Sequence, residues 1–580
     1  MKVFDGGLRR VAVSWLLAVG LVLPWQGAWT AVAVDQSPLI IQLALPANLV
    51  LMLDDSGSMD WDYMPDKEYL TDPVGGNGTA TTADYIAYNV NGTYYNPTVT
   101  YTPPPTAAGS SYADASFPTA YVDGFKTSAG TANVTSYAGD SYYPYHTTLQ
   151  FPKSGSCPSG STQVSTSACS MKVFWFNGGS GASSFGCPSG SSFDATLNVC
   201  VSATQAPYSP ARCASGYTLR NGVCTSNSGR GRSQTPSYCA SGYTYSTAKN
   251  YPGSTGICYM GAGRQVSSFV RNYTTYYVAD DLTTGYAAAA AAVCAANGPN
   301  CYLASNTSGA VSPAGVQAGR NVANWFQYYH TRMLMAKSGL MTAFAGLDGS
   351  FRVGFGSING NNRGAIPAAN YAFSTSTQSS NKLAQVQEFG NGSSGTQKAN
   401  FWNWLSGETA NGSTPLRQAL HAVGTYYGTN QPWYNSASDQ TQYSCRQSFA
   451  ILTTDGFWNE SSACSSGNCI GNADGSRASA ISGSNGQSYT YDPIDPYQDS
   501  YSDTLADVAM HFWVTDLKTG LANNVPISME DPAFWQHLKG SMPRPRKRPR
   551  SAMPQCPNCW KRMRCRNWPN SICRIECATF

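Results

Sequence analysis

The stretch Asn48-Leu49-Val50-Leu51-Met52-Leu53-Asp54-Asp55-Ser56-Gly57-Ser58 decides the fold. Its apolar run has no polar face, which suits a strand buried on both sides, as in a parallel sheet covered by helices. The run stops at two carboxylates and a serine-glycine turn. The same construction recurs at Ser448-Phe449-Ala450-Ile451-Leu452-Thr453-Thr454-Asp455-Gly456. Between the two, Val322, Trp325, Phe326, Tyr329, Met333, Met335 and Leu340 recur at helical spacing and predict a helix from Ala318 to Phe344. Asp348-Gly349 ends it, and Phe351-Arg352-Val353-Gly354-Phe355 reads as the next strand. Further helices are expected around Phe401 to Leu405, from Pro415 through Leu416, Ala419, Leu420 and Val423, and over Ser502 to Leu517 with Ser502 or Asp503 as cap. Strands alternating with helices imply a doubly wound α/β sheet, and such sheets bind ligands beyond the carboxyl ends of their strands. Asp54 and Asp455 stand at those ends.

The chemistry there is that of hard oxygen donors. Asp54, Ser56 and Ser58 offer one carboxylate and two hydroxyls, with Gly57 permitting a tight backbone. Alone, such a phrase is also an ordinary strand-end turn with an Asx or serine cap. Two further loops change the balance: Gly412-Ser413-Thr414-Pro415-Leu416 opens a helix, and Asp455-Gly456 ends the second apolar strand. Asp54, Ser56, Ser58, Thr414 and Asp455 together make the oxygen-rich set that Mg²⁺ takes, with Mn²⁺ or Ca²⁺ as alternatives. Catalysis is not expected. The chain has five histidines, no H-E-x-x-H and no G-x-S-x-G elbow after a buried strand.

Charged residues are 12% of the chain, about half the usual share, so Gly, Ser, Thr, Asn and Tyr solvate its surface. The net charge is +4, yet residues 541–580 carry ten basic residues and one acid, Glu576, for +9, which leaves −5 on the first 540. A nucleic-acid partner is therefore not expected of the main body. Lys2, Arg9 and Arg10, the apolar run Val11 to Leu23 and Ala31-Val32-Ala33 read as a signal peptide over residues 1–33. That run is too short for a stable membrane span, which needs about 20 apolar residues.

Cysteine usage fits export. Cys157 to Cys169, Cys187 to Cys200, Cys213 to Cys224 and Cys239 to Cys258 form a fourfold repeat whose starts are 30, 26 and 26 residues apart. Each unit opens Cys-Pro-Ser-Gly or Cys-Ala-Ser-Gly-Tyr, and each has too few aliphatic residues for a core, so four local disulfides are expected in place of zinc sites. Around the repeats the sequence turns to Tyr, Thr, Ser, Gly, Asn and Pro with little periodicity, which reads as a large loop-rich insertion. Tyr142, Tyr143, Tyr145, Tyr243, Tyr245 and Tyr273 to Tyr277 would shield it or offer a contact surface. Asp492, Asp495, Asp499 and Asp503 lack the glycine and glutamate of a calcium loop and read as a solvated stretch.

The combination of D-x-S-x-S, Thr414 and Asp455 resembles the von Willebrand factor A family and its metal-ion-dependent adhesion site. The resemblance implies a Rossmann-like A domain in which Ser56, Ser58 and Thr414 touch the metal, Asp54 and Asp455 act through water, and an open position accepts a partner's carboxylate. Met59 to Pro65, Thr504 to Trp513 and Asp531 to His537 look like the PilY family of type IV pilus assembly proteins and tip-associated adhesins. That implies metal-dependent adhesion or pilus assembly at the cell surface, with pilus or minor pilin proteins and an acidic host or surface ligand as partners. Surface mechanosensing or virulence signalling through the same domain is the alternative. The expected layout is a signal peptide (1–33), the first strand and metal loop (34–64), the insertion (65–317), the rest of the A domain (318–538) and a basic cysteine-rich tail (539–580). The abrupt change of composition after His537 reads as a frame change, in a chain truncated before the family's C-terminal β-propeller.

Overall fold

Continuous apolar runs end up where both faces of a sheet are covered. The computed structural model describes residues 45–64, 81–138, 143–178, 273–360, 382–456, 458–460, 469–484, 486–495, 497–528 and 531–540, with the backbone of 368–370 and of short strands between 185 and 271. The expected signal peptide and all of the expected tail beyond Gly540 lie outside the described residues. The elements that position the site are β1 (Asn48–Leu53), β2 (His146–Pro152), β3 (Ala168–Gly178), β4 (Thr274–Ala279), α1 (Ala287–Asn297), β5 (Cys301–Leu303), α2 (Ala318–Tyr329), α3 (Arg332–Phe344), β6 (Arg352–Ser357), β7 (Ala368–Asn370), β8 (Lys382–Glu388), α4 (Gln397–Gly407), α5 (Leu416–Tyr427), β9 (Ser448–Thr453), α6 (Leu505–Val514) and β10 (Lys539–Gly540).

Six strands form one mixed sheet in the order β7-β8-β6-β1-β9-β10. β1 pairs in parallel with β6 and β9, and β9 with β10, whereas β8 runs antiparallel to β6 and to β7. Alternate residues of β1 point to opposite faces. Val50 and Met52 pack with Leu416, Val423, Tyr426, Val508 and Phe512 of α5 and α6. Leu51 and Leu53 pack with Leu340, Phe344, Phe401 and Trp404 of α3 and α4. Each such side chain, once buried, contributes about 1.5–3 kcal/mol, so a strand without a polar face is stable only in this central place.

The expected helix over 318–344 is two helices. His330 ends α2, and the Thr331 side chain accepts from Leu334 N to start α3 in a new direction. α6 begins at Leu505, and its cap is Thr504, whose side chain and Asp507 satisfy each other's backbone; neither Ser502 nor Asp503 serves. Lys539 and Gly540, which the sequence assigns to the tail, continue the sheet opposite Phe449 and Ala450. No helix among the described residues is long and apolar enough to cross a membrane.

The region expected to be a loop-rich insertion is less loop-like than its composition implies. β2, β3, β4 and β5 form a second sheet in the order β5-β4-β3-β2, with Thr162–Gln163 also pairing to β3. α1 lies against it, through Ala289, Ala290 and Val293. Cys157–Cys169 is a disulfide as expected, and Cys294–Cys301, which the repeat pattern does not include, ties α1 to β5. The later repeats are hairpins, Ser191–Asp194 with Val199–Ser202, Tyr217–Arg220 with Val223–Ser226 and Tyr243–Ser246 with Ile257–Met260; their cysteine pairs lie outside the described residues. Each repeat thus places its second cysteine on the second strand, as Cys169 is on β3.

A dense aromatic core joins this region to α2. Tyr94, Tyr95, Tyr143, Tyr145, Phe174, Phe176, Trp325 and Phe326 are all buried there. Tyr143 and Tyr145 are therefore core, not contact surface. Their polar tips do structural work on irregular backbone: Tyr95 Oη donates to Val311 O (2.6 Å), Tyr329 Oη to Thr102 O (2.6 Å) and Trp325 Nε1 to Thr93 O (2.8 Å). Buried loop carbonyls need such partners where no neighbouring strand supplies them.

Candidate functional site

Leu53 and Thr453 lie opposite each other at the ends of β1 and β9, so the loops that follow leave the sheet side by side. Asp54 N continues the pairing by donating to Thr453 O at 2.9 Å. The turn then folds onto its own carboxylate: Ser56 N donates to Asp54 Oδ1 at 2.8 Å, and Thr454 Oγ1 donates to Asp54 Oδ2 at 2.6 Å. Ser58 Oγ lies 3.1 Å from Ser56 Oγ and donates to Asp455 Oδ1 at 3.1 Å. Asp54, Ser56, Ser58 and Asp455 thereby form one connected cluster across two strands.

The Thr414 loop is bound to the first loop through the backbone. Gly57 N donates to Gly412 O at 3.1 Å and Asn411 N to Asp55 O at 2.6 Å. Thr414 itself is held by Asn459, whose Oδ1 accepts from Thr414 N at 2.6 Å. Its side chain is buried, but among the described residues no hydrogen bond joins its hydroxyl to the other four groups. Gly412 is required by shape. At φ 132° it occupies a region that favours glycine, and a Cβ there would lie 2.8 Å from Asn359 Cγ.

The neighbouring aspartates have different work. Asp55 turns to Asn359, accepting from its backbone N (3.0 Å) and Nδ2 (2.9 Å), while Asn359 Nδ2 also donates to Ser413 O (2.7 Å). Asp55 thus ties the loops after β1 and β6 to the Thr414 loop, and burial raises its carboxyl above the ordinary value. Asp54 faces the cluster. Burial, reinforced by the negative charge of Asp455, pushes its carboxyl up to about 6, against the opposing hydrogen bonds from Ser56 and Thr454. Asp455 has a second partner, Arg332 from the start of α3, whose Nη1 is 2.6 Å from Oδ2.

Among the described residues, no three or more His, Cys, Asp and Glu side chains gather to hold a metal. A cation at this place would have to use serine and threonine hydroxyls. The donor set fits a hard divalent ion in kind: every group is an oxygen, and two close, buried carboxylates gain from a positive charge between them. Sequence reasoning missed Thr454, Asn359 and Arg332. Thr454 was in view beside Asp455; Arg332 carried no signal, because its place depends on the break between α2 and α3.

No family model matches the chain, and no solved structure matches it. Curated relatives do. The chain is 33% identical over 240 residues to the type IV pilus biogenesis factor PilY1 of Pseudomonas aeruginosa strain PAO1, covering 38% of this chain and 19% of the relative. It is 30% identical over 266 residues to PilY1 of strain PAK, covering 42% and 20%, and 33% identical over 233 residues to PilY1 of strain UCBPP-PA14, covering 38% and 18%. The chain thus spans about a fifth of the length of the curated relatives it matches. Over that partial region, the chain is PilY1-like.

Proposed function

We propose that the α/β part is a von Willebrand factor A type domain, doubly wound and Rossmann-like, with residues 65–317 as its insertion, and that it serves metal-dependent adhesion or assembly at a type IV pilus. The observation that carries the reading is the hydrogen-bonded cluster of Asp54, Ser56, Ser58 and Asp455 at the carboxyl ends of adjacent parallel strands, with the Thr414 loop bound beside it. The partial likeness to a pilus biogenesis factor supports the setting. In this reading Asp54, Ser56, Ser58, Thr414 and Asp455 hold a Mg²⁺-type cation. The ion, when bound, supplies an electrophilic position for a carboxylate. Asp54 and Asp455 bring the negative charge, the serines and Thr414 give neutral oxygens, and Asp55 with Asn359 keeps the three loops in register. Pilus or minor pilin proteins and an acidic surface ligand are the partners this chemistry suits, at the exported cell surface. Calorimetry with Mg²⁺ and Mn²⁺ tests it. Wild type should bind, the Asp54→Ala/Asp455→Ala double variant should not, and EDTA should release the protein from pili; unchanged affinity in the double variant would sink the metal site.

A further inference from the structure

We propose that Arg332 is a specificity-determining residue of this site: its guanidinium neutralises Asp455, so that the cation-loaded centre is one charge more positive and favours a carboxylate ligand. The inference rests on the metal-site reading above. Arg332 is fixed on every side the site offers. Its Nη1 meets Asp455 Oδ2 at 2.6 Å, with the two side chains only 3% and 6% exposed. Its Nε donates to Tyr63 O at 2.8 Å, and its backbone N donates to Trp61 O at 3.0 Å. The guanidinium carbon sits 4.9 Å from the centre of the Trp61 ring and 5.5 Å from that of Tyr63. Trp61 and Tyr63 directly continue the turn that carries Ser58, so the same short segment supplies metal-site hydroxyls and clamps the arginine.

A guanidinium does not lose its proton in a protein, and its planar fork suits a fixed carboxylate. Of the groups joined at the site, Asp54 and Asp455 carry negative charge and Arg332 positive charge, while Asp55 beside them is bonded to the neutral Asn359. A divalent ion added to that balance meets one fewer uncompensated negative charge than it would without Arg332. With a neutral residue at 332 the same ion would still offer its open position, but beside one more uncompensated negative charge, which weakens its hold on an anion. Arg332 therefore acts in two opposite directions: it repels the bare cation, and it makes the loaded centre favour an anionic partner.

That opposition gives the test. Mn²⁺ affinity is measured on the full chain by calorimetry, with and without excess acetate as the carboxylate probe, for wild type, Arg332→Met and Arg332→Lys, with circular dichroism to verify folding. In wild type, acetate should tighten Mn²⁺ binding, as reciprocal coupling requires. Arg332→Met should bind Mn²⁺ about tenfold more tightly without acetate and lose most of the acetate effect. Arg332→Lys, which keeps the charge, should retain that effect. A merely structural arginine would weaken Mn²⁺ binding under both conditions when removed, and that result, or wild-type behaviour in Arg332→Met, overturns the inference while leaving the metal site standing. If wild type itself does not bind Mn²⁺, the metal-site reading fails and this inference goes with it.

Discussion

The sheet that carries Asp54 and Asp455 and the module around α2 bury their interiors with different materials. Around β1 the filling is aliphatic side chains interleaved with a few rings, and backbone polar groups are satisfied by strand pairing and helices. Around Trp325 the filling is Tyr, Phe and Trp, and many backbone groups belong to irregular loops that take hydrogen bonds from tyrosine and asparagine side chains. The lesson is that a chain rich in Tyr, Ser and Gly can build a dense core without long regular elements, provided some of its tyrosine and tryptophan rings also bring a polar tip to an orphan carbonyl.

The sharpest way to break this comparison is to remove one ring. Trp325 is fully buried, with ring centroids of Tyr94, Tyr145 and Phe174 at 5.2, 5.4 and 5.8 Å, and it also holds Thr93 O. Trp325→Ala should cost about 3–5 kcal/mol in denaturant unfolding monitored by near-ultraviolet circular dichroism. A cost under about 1 kcal/mol would mean that the aromatic core is loosely packed and the contrast is false.

Acid gives a second, smaller separation. His330 stacks on Phe326 with centroids 4.5 Å apart, and burial pushes its imidazole down to about 4. The unfolded chain, titrating near 6.5, takes up the proton first, so the module should lose stability as pH falls from about 6.5 towards 4, by up to about 3 kcal/mol. Asp54 has the opposite sign. Its carboxyl titrates near 6 when folded, above its ordinary 3.8, so its burial is unfavourable at neutral pH and is relieved as pH falls from about 6 towards 4. His537, buried in the α/β part and also held near 4, works in the same direction as His330, so the measurement has to be residue-specific. Proton-detected titration of the His330 ring, with stability compared between wild type and His330→Phe, checks the sign; a ring that titrates near 6.5 in the folded protein contradicts it.

The smallest effect on stability should come from the site itself. Asp54→Asn removes the buried charge while keeping the shape, so without metal the variant should stay within about 1 kcal/mol of wild type at neutral pH and lose the relief that Asp54 alone gains as pH falls below 6. Its Mg²⁺ and Mn²⁺ affinity should nevertheless collapse. A large loss of stability would instead make Asp54 a structural aspartate like Asp55.

The same contrast decides what was legible. β1 and β9 could be read because a buried parallel strand leaves an apolar run, β6 because Val353 and Phe355 follow the helix-ending Asp348-Gly349, and Leu416, Ala419, Leu420 and Val423 mark one face of α5. The β7–β8 pair escaped, since Lys382, Gln385, Gln387 and Glu388 break up Leu383, Ala384 and Val386 and leave no such run. α2 was found, but not its surroundings: every residue except Arg320 is buried, so its spacing does not reveal that it lies in the aromatic core. Asp54, Ser56, Ser58 and Asp455 announced themselves by following strands. Arg332 depends on a turn of direction at Thr331 that no periodicity records.

The hydrogen bond from Arg332 N to Trp61 O has a further consequence. The chain leaves the α/β part just after the first site loop and returns to it at the start of α3, and the exit and the return meet at that bond. An excursion that begins and ends at one point makes little demand on the span between its anchors. The excursion is therefore replaceable in principle. A graft in its place would have to keep Tyr63, which holds Arg332, and supply a new partner for the buried Lys337 of α3, which pairs with Asp123 of the excursion.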